Sequence, residues 1–291
     1  MASLAQRLPQ NAPGNFYVDR TCIDCDTCRR IAPAVFEEGE GHSYVHAQPR
    51  NEESRRRALM ALVACPTASI GTVERTDASP GVRAFPELVE DDVFFCGFTA
   101  ESSFGAWSYF LERPEGNVLV DSPRAAGPLL KALESRGGVA TLFLTHRDDV
   151  ADHAALRKRF GCERVLHRDD LTAKTADIER PLEGTEPVSL AEDLLAIPTP
   201  GHTRGHCVLL YRQKFLFTGD HLAWSRRRGR LVAFRDANWY SWPATIRSMG
   251  RLLDYDFEWV LPGHGGSYRA ESSRAMRREL ERCVAWMKTV T

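Results

Sequence analysis

The chain has 291 residues, 43% hydrophobic and 26% charged, which excludes wholesale disorder, a collagen-like repeat and a coiled-coil rod. Its formal net charge of −1 offers no overall positive field, so neither nucleic acid nor an anionic membrane is expected as a partner. The longest apolar run, residues 58–64, falls far short of the ~20 residues a membrane helix needs, and residues 1–16 carry no apolar signal segment. A cytoplasmic protein is expected.

In chain order, FYVD predicts a first short strand and residues 43–46 a second. A helix follows over residues 51–64, with Asn51 as N-cap and Glu52 and Glu53 in its first turn. Residues 76–86 lie in a polar, Pro- and Gly-containing stretch that reads as a linker between a domain at 1–75 and another at 87–291. Beyond it, VFFC, WSYFL and NVLVD read as strands, residues 127–136 as a helix, VATLFLTH as a strand and residues 150–160 as a helix. LLAIPTPGHT, the hairpin HCVLLY–KFLFTGD, a second hairpin turning at Arg228-Gly229, a helix over 243–253, EWVLPGHG and an amphipathic helix over 270–288 complete the chain. Such mixed strands and helices imply an α/β class, with helices packed on sheets.

Four of the eight cysteines, Cys22, Cys25, Cys28 and Cys65, fall in the first 65 residues. In a reducing compartment such a cluster holds metal more readily than disulfides. Three thiolates on one tight loop can take three corners of an iron–sulfur cube, and Cys65-Pro66 can bring the fourth. The segment resembles a single-cluster ferredoxin of small α+β type. Two-cluster ferredoxins carry a further Cys-Pro where this chain has Ala32-Pro33, so the resemblance implies one [4Fe–4S] cluster. A zinc site is the competing use of four thiolates. His42 and His46 read as surface strand residues.

In the second domain, metal-capable side chains repeatedly follow an apolar strand. LFLT leads to His146, LLAIPTPG to His202, KFLFTG to Asp220 and WVLPG to His264. Strand ends of one sheet collect along a rim, where imidazoles and carboxylates can converge on zinc, iron or manganese. Glycines at 201, 219 and 263 permit close backbone approach.

These pieces, with NVLVDS, PTPGHTRGH, FTGD and VLPGHG, resemble the metallo-β-lactamase fold superfamily. The resemblance implies an αβ/βα sandwich with two divalent metal ions on one edge. It assigns His146 and His202 to the first ion, Asp152, His153 and His264 to the second, and Asp220 to both. In such a site a hydroxide held by the ions attacks the polarised scissile group, and Asp152 orients the attacking water.

One departure stands out. The family reads His-x-His-x-Asp-His, whereas this chain reads His146-Arg-Asp148-Asp149-Val-Ala-Asp152-His153. Asp148 or Asp149 supplies the lost ligand, and Asp148 keeps the two-residue step from His146. An added carboxylate shifts the preference from zinc toward iron or manganese, unless the first site is weakened and one ion remains. The plain alternative for the run is a helix N-cap.

His206, in GHTRGH, follows a form of the thioesterase-like and glyoxalase II-like branch. With His221 and Asp149 it is a candidate for supporting the ligands. His167 reads as ordinary. Arg226, Arg227, Arg228 and Arg230 form a hairpin-tip patch, read chiefly as solvated. The run Asn238–Trp242 (NWYSW) reads as packing, and Cys96, Cys162, Cys207 and Cys283 as buried apolar residues.

The expected function is a metal-dependent hydrolase of a small-molecule substrate, fused to a ferredoxin-like domain. The alternative is an oxidoreductase in which the cluster, served by a redox partner protein, feeds electrons to a di-iron centre.

Overall fold

A computed structural model describes residues 1–290, and these divide into two compact units, Met1–Ala140 with Ala151–Cys162, and Thr141–Val150 with Glu163 onward. Among the described residues, no helix is long and apolar enough to cross a membrane.

In the first unit, strand Phe16–Val18 pairs antiparallel with Ile70–Thr72, and a hairpin joins Phe36–Glu38 to Ser43–Val45. Helix α1 (Thr27–Ile31) follows the cysteine loop, and α2 (Glu52–Ala64) delivers Cys65 at its C-cap. Asn51 caps α2 as expected. Its side chain accepts from Ser54 N while the Ser54 hydroxyl accepts from Asn51 N, a reciprocal capping box. The loop between Cys22 and α1 turns on Asp24 and Asp26, both in the left-handed region (φ 61°), a conformation that aspartate tolerates better than most residues.

Residues 1–14 gave no clear signal in the sequence, yet they carry a hub of this unit. Asn11 is buried, donates to Leu8 O (2.7 Å) and Val18 O (2.8 Å), and accepts from Val18 N and Val45 N (both 3.0 Å). All of its amide capacity is used.

Residues 76–86, read as a linker, include a short helix α3 (Ser79–Arg83) packed against α2. The approach is close enough that a Cβ at Gly81 would meet Leu59 O at 2.5 Å. Strands Glu87–Glu90, Val93–Phe95, Tyr109–Leu111 and Val118–Val120 then form an antiparallel ladder, followed by α4 (Gly127–Ser135) and α5 (His153–Phe160). The cysteine-bearing segment packs on this ladder within the same unit. Trp107 stacks on Phe95 (centroids 3.7 Å apart), and the buried Arg30 guanidinium lies 3.5 Å from the Trp107 ring centroid. Thr27 Oγ1 donates to Gly105 O, and Arg57 pairs with Glu87.

The second unit holds a parallel pairing of Thr141–Phe143, Glu163–His167 and Arg180–Leu182. Its larger sheet runs Val188–Ala191, Leu194–Pro198, Cys207–Tyr211, Phe215–Gly219, Trp259–Pro262 and Tyr268–Arg269. The central strands of that sheet are buried on both faces, which explains their continuous rather than alternating hydrophobicity. Helices α6 (Trp242–Arg251) and α7 (Ser273–Met287) start on Ser241 and Ser272 caps. Met276, Leu280, Cys283, Val284 and Met287 form one apolar stripe that joins Val208, Leu210, Leu216 and Val260 in the core. The four scattered cysteines are buried, as expected.

Asn11→Ala would leave buried backbone groups without partners. It is expected to cost about 2–3 kcal/mol, read as a lower urea midpoint at unchanged slope.

Candidate metal centre

The second unit brings most of the expected donors together at strand ends. His146 follows Thr141–Phe143, His202 follows Leu194–Pro198, Asp220 follows Phe215–Gly219 and His264 follows Trp259–Pro262. His146 Nε2 lies 3.9 Å from Asp148 Oδ2, 3.9 Å from Asp149 Oδ2 and 3.8 Å from Asp220 Oδ2. His202 Nε2 lies 3.3 Å from Asp148 Oδ2 and 3.7 Å from Asp220 Oδ2. Donors at ~2.0–2.2 Å from one ion are about 3.0–3.5 Å apart, so small adjustments close this group on a cation. Asp148 and Asp149 both stand within reach, Asp148 with His146 and His202, and Asp149 with His146 and Asp220. His264 meets the group through Asp220, its Nδ1 2.7 Å from Asp220 Oδ1.

Electrostatics favour the ligand forms. Burial pushes His146 down to about 4, against the pull of Asp220, and pushes His221 down to about 3 and His206 well below the usual imidazole range. These rings are therefore neutral near pH 7, the form that binds metal. Burial raises Asp220, but His264 beside it, through its charge and its hydrogen bond to Oδ1, more than reverses this and holds it anionic. His202, its Nε2 3.3 Å from Asp148 Oδ2, lowers Asp148 despite its partial burial.

The donors fit a cation on a further ground. His146 Nε2 and both His202 nitrogens are buried with no hydrogen bond among the described residues, an arrangement that costs free energy unless something else takes the lone pairs. His146 Nδ1 is 2.9 Å from Thr145 Oγ1, which leaves Nε2 for an ion. Gly263 is needed for the fit, since a Cβ there would lie 2.8 Å from Asp149 Oδ2 and 3.2 Å from Asp220 Oδ1.

Asp152 and His153 belong to the first unit. Asp152 occupies the N-cap position of α5 but makes no cap bond. Its Oδ2 instead accepts from Ala125 N at 2.8 Å, so the plain capping role is not what this carboxylate performs. His153 is buried. His206 and His221 are fully buried and their rings stack (5.4 Å), with His206 5.2 Å from His146, so both lie behind the donors rather than in solvent. His167 bonds Gly184 O and Asp169 N and is structural.

The cysteine loop forms the other candidate centre. Cys22, Cys25, Cys28 and Cys65 line a single cavity with Ile23, Pro66 and Ile70. Ser43 N donates to Cys22 Sγ (3.4 Å) and Ser69 N to Cys65 Sγ (3.3 Å), the contacts that stabilise cluster thiolates. Burial raises Cys25 to about 11 and raises Cys28 further, so without iron these thiols stay protonated. His46 bonds Pro33 O, and His42 lies against Gly39, away from the cysteines that line the cavity.

Two features were missed or misread. Asp170, fully buried, accepts from Arg147 N (3.1 Å), Thr203 Oγ1 (2.5 Å) and Gly205 N (2.7 Å). It thus ties the loop after His146 to the loop after His202. Nothing in its local sequence marks this, because the partners come from distant segments. The NWYSW run packs only in part. Trp242 Nε1 donates to Val290 O, but Trp239 is 62% exposed, its ring 6.2 Å from that of His202. Arg226, Arg227 and Arg228 are exposed, as expected of a solvated hairpin tip, with Arg228 and Arg230 also lying over Trp286.

Comparison with known proteins agrees with this reading. Residues 103–264, over half of the chain, match the family model described as the metallo-beta-lactamase superfamily, and the chain belongs to that superfamily. Residues 18–72 match the model of the 4Fe-4S single cluster domain of ferredoxin I. A hydroxyacylglutathione hydrolase of Rhizobium meliloti (strain 1021) is 37% identical over 108 residues, 35% of this chain and 41% of the relative. One from Rhizobium etli is 34% identical over 146 residues, 46% of this chain and 52% of the relative. The chain thus spans about half the length of the curated relatives it matches. The crystal structure of DIM-1 metallo-beta-lactamase superposes with a TM-score of 0.51 at 16% identity, over 67% of this chain and 96% of that one, a likeness of fold.

Asp170→Ala is expected to weaken divalent-metal binding roughly 10- to 100-fold, measured by chelator competition, with the cluster absorbance unchanged. Unaltered affinity would show that Asp170 does not position the ligand loops.

Proposed function

We propose that the chain is a metal-dependent hydrolase of a thioester of the hydroxyacylglutathione type, the substrate class that its curated relatives' names carry. The observation that carries the reading is the gathering of His146 and His202 with Asp148 and Asp220, each imidazole Nε2 3.3–3.9 Å from a carboxylate oxygen of both, while those imidazole nitrogens have no hydrogen bond among the described residues. A divalent ion held there would make a bound water acidic near neutral pH and polarise the thioester carbonyl. The residues supply the rest. Neutral His146 with His202 and anionic Asp220 offer a preformed donor set, Thr145 Oγ1 engages His146 Nδ1, and Asp170 holds the two ligand loops. Asp152, the residue that the family pattern assigns to orienting the water, is anchored through Oδ2 on Ala125 N.

Three carboxylates, Asp148, Asp149 and Asp220, make the set hard, so iron or manganese competes with zinc. Cys22, Cys25, Cys28 and Cys65 hold one [4Fe–4S] cluster.

The test is anaerobic purification with elemental analysis, visible spectrum and thioester hydrolysis. His202→Ala and His264→Ala are each expected to lower divalent-metal content and turnover sharply while the brown cluster absorbance persists. Cys65→Ser should bleach that absorbance and leave the divalent ions bound. Two irons beyond the cluster's four, without thioester turnover, would replace hydrolysis by electron transfer into a di-iron centre.

A further inference from the structure

The turn that carries the fourth cluster ligand also borders a second opening. A cleft of about 500 Å³ within the first unit is lined by Pro66, Ala100, Glu101, Ser102, Arg124 and Asp152. One wall is therefore the residue directly after Cys65, and another is the carboxylate proposed to orient water.

The cleft wall is tied to the cluster turn by two hydrogen bonds. Thr99 Oγ1 donates to Ala64 O (2.6 Å), and Arg124 Nη2 donates to Val63 O (3.1 Å). These carbonyls end α2, one and two residues before Cys65, where helical carbonyls lack partners of their own. Any ligand that draws on Arg124 thus pulls on the chain that places Cys65.

The lining also has a definite charge pattern. Arg124 Nε is buried without a hydrogen bond among the described residues, so the guanidinium has donors left after Val63. Glu101 and Ser102 stand on the turn Glu101–Ser103, with an exposed carboxylate and a hydroxyl. The lining sets one cation, Arg124, beside two carboxylates, the exposed Glu101 and Asp152 (whose Oδ2 is held by Ala125 N), around small and apolar surface, which matches a ligand end that bears both charges.

We propose that this cleft holds the zwitterionic amino-acid end of a peptide-thiol substrate, its carboxylate on Arg124 and its ammonium on Glu101, with the Cys65–Pro66 turn as a wall that senses occupancy. This rests on the thioester reading above and adds where the carrier peptide sits. The cluster then acts as a structural and responsive part of the binding site, without passing electrons to the substrate. Arg124 and Glu101 are positioning residues.

The probe is S-methylglutathione, which has no thioester to cleave and no free thiol to attack the cluster. It is titrated by calorimetry into the full-length, cluster-loaded protein, and the reduced cluster is followed by electron paramagnetic resonance. Wild type is expected to bind, with a shift in the cluster's g values at saturation. Arg124→Gln should weaken binding roughly 10- to 100-fold, the loss of a charge-assisted contact, and Arg124→Lys should restore part of it. Should Arg124→Gln shed the cluster, Glu101→Gln on its exposed turn replaces it. That variant is expected to lose the preference for the free amine over the N-acetylated probe. Equal affinity in Arg124→Gln, a preference retained in Glu101→Gln, or binding that leaves the g values unmoved would overturn the proposal. Thioester turnover without probe binding removes the cleft assignment alone, whereas probe binding without turnover removes the hydrolase reading alone.

Discussion

Everything in the second unit answers to the problem of burying imidazoles and carboxylates without enough hydrogen bonds to go round. His146, His202, His206 and His221 are all nearly or wholly excluded from water, and several of their nitrogens meet no donor or acceptor among the described residues. Left so, each is a destabilising defect. Placed around a cation, the same atoms become a binding site whose ligands need little rearrangement. The surrounding sheet, packed on α6 and α7, provides the stiffness that holds these groups together. The fold accepts local instability at the rim because the core beneath is continuous and apolar.

The supporting contacts are as specific as the donors. Thr145 and Asp170 act on the side chain and on the loops, and each comes from a different segment from the groups it steadies. In the first unit the equivalent constraint is mechanical. Trp107 is held between Phe95 and Arg30, and Arg124 and Thr99 grip the end of α2. The cysteine segment is therefore fixed to the strands that follow it.

Much of this was legible in the chain itself. Cys22-x2-Cys25-x2-Cys28 with Cys65-Pro66, and donors each placed just after an apolar run, are local patterns with a chemical reason for their spacing. The helices at Asn51, Ser241 and Ser272 announce themselves by their caps. Other features depend on residues far apart in sequence. Asn11 and Asp170 look like ordinary polar residues until distant backbone groups close on them. A linker composition at 76–86 hid α3, because the glycine that suggests flexibility there instead allows contact with Leu59. The choice between Asp148 and Asp149 could not be read from spacing, since the loop folds both toward His146. Trp239 is misread for the same reason, as aromatic character alone does not tell a packed ring from one at a rim.

The most direct measurement is anomalous diffraction at the iron and zinc edges from anaerobically grown crystals of the full chain. The account predicts a peak ~2.0–2.2 Å from His146 Nε2, His202 Nε2 and an Asp220 oxygen, and a separate iron peak enclosed by Cys22, Cys25, Cys28 and Cys65. Density showing these imidazoles turned away from one another, with no scatterer between them, would contradict it.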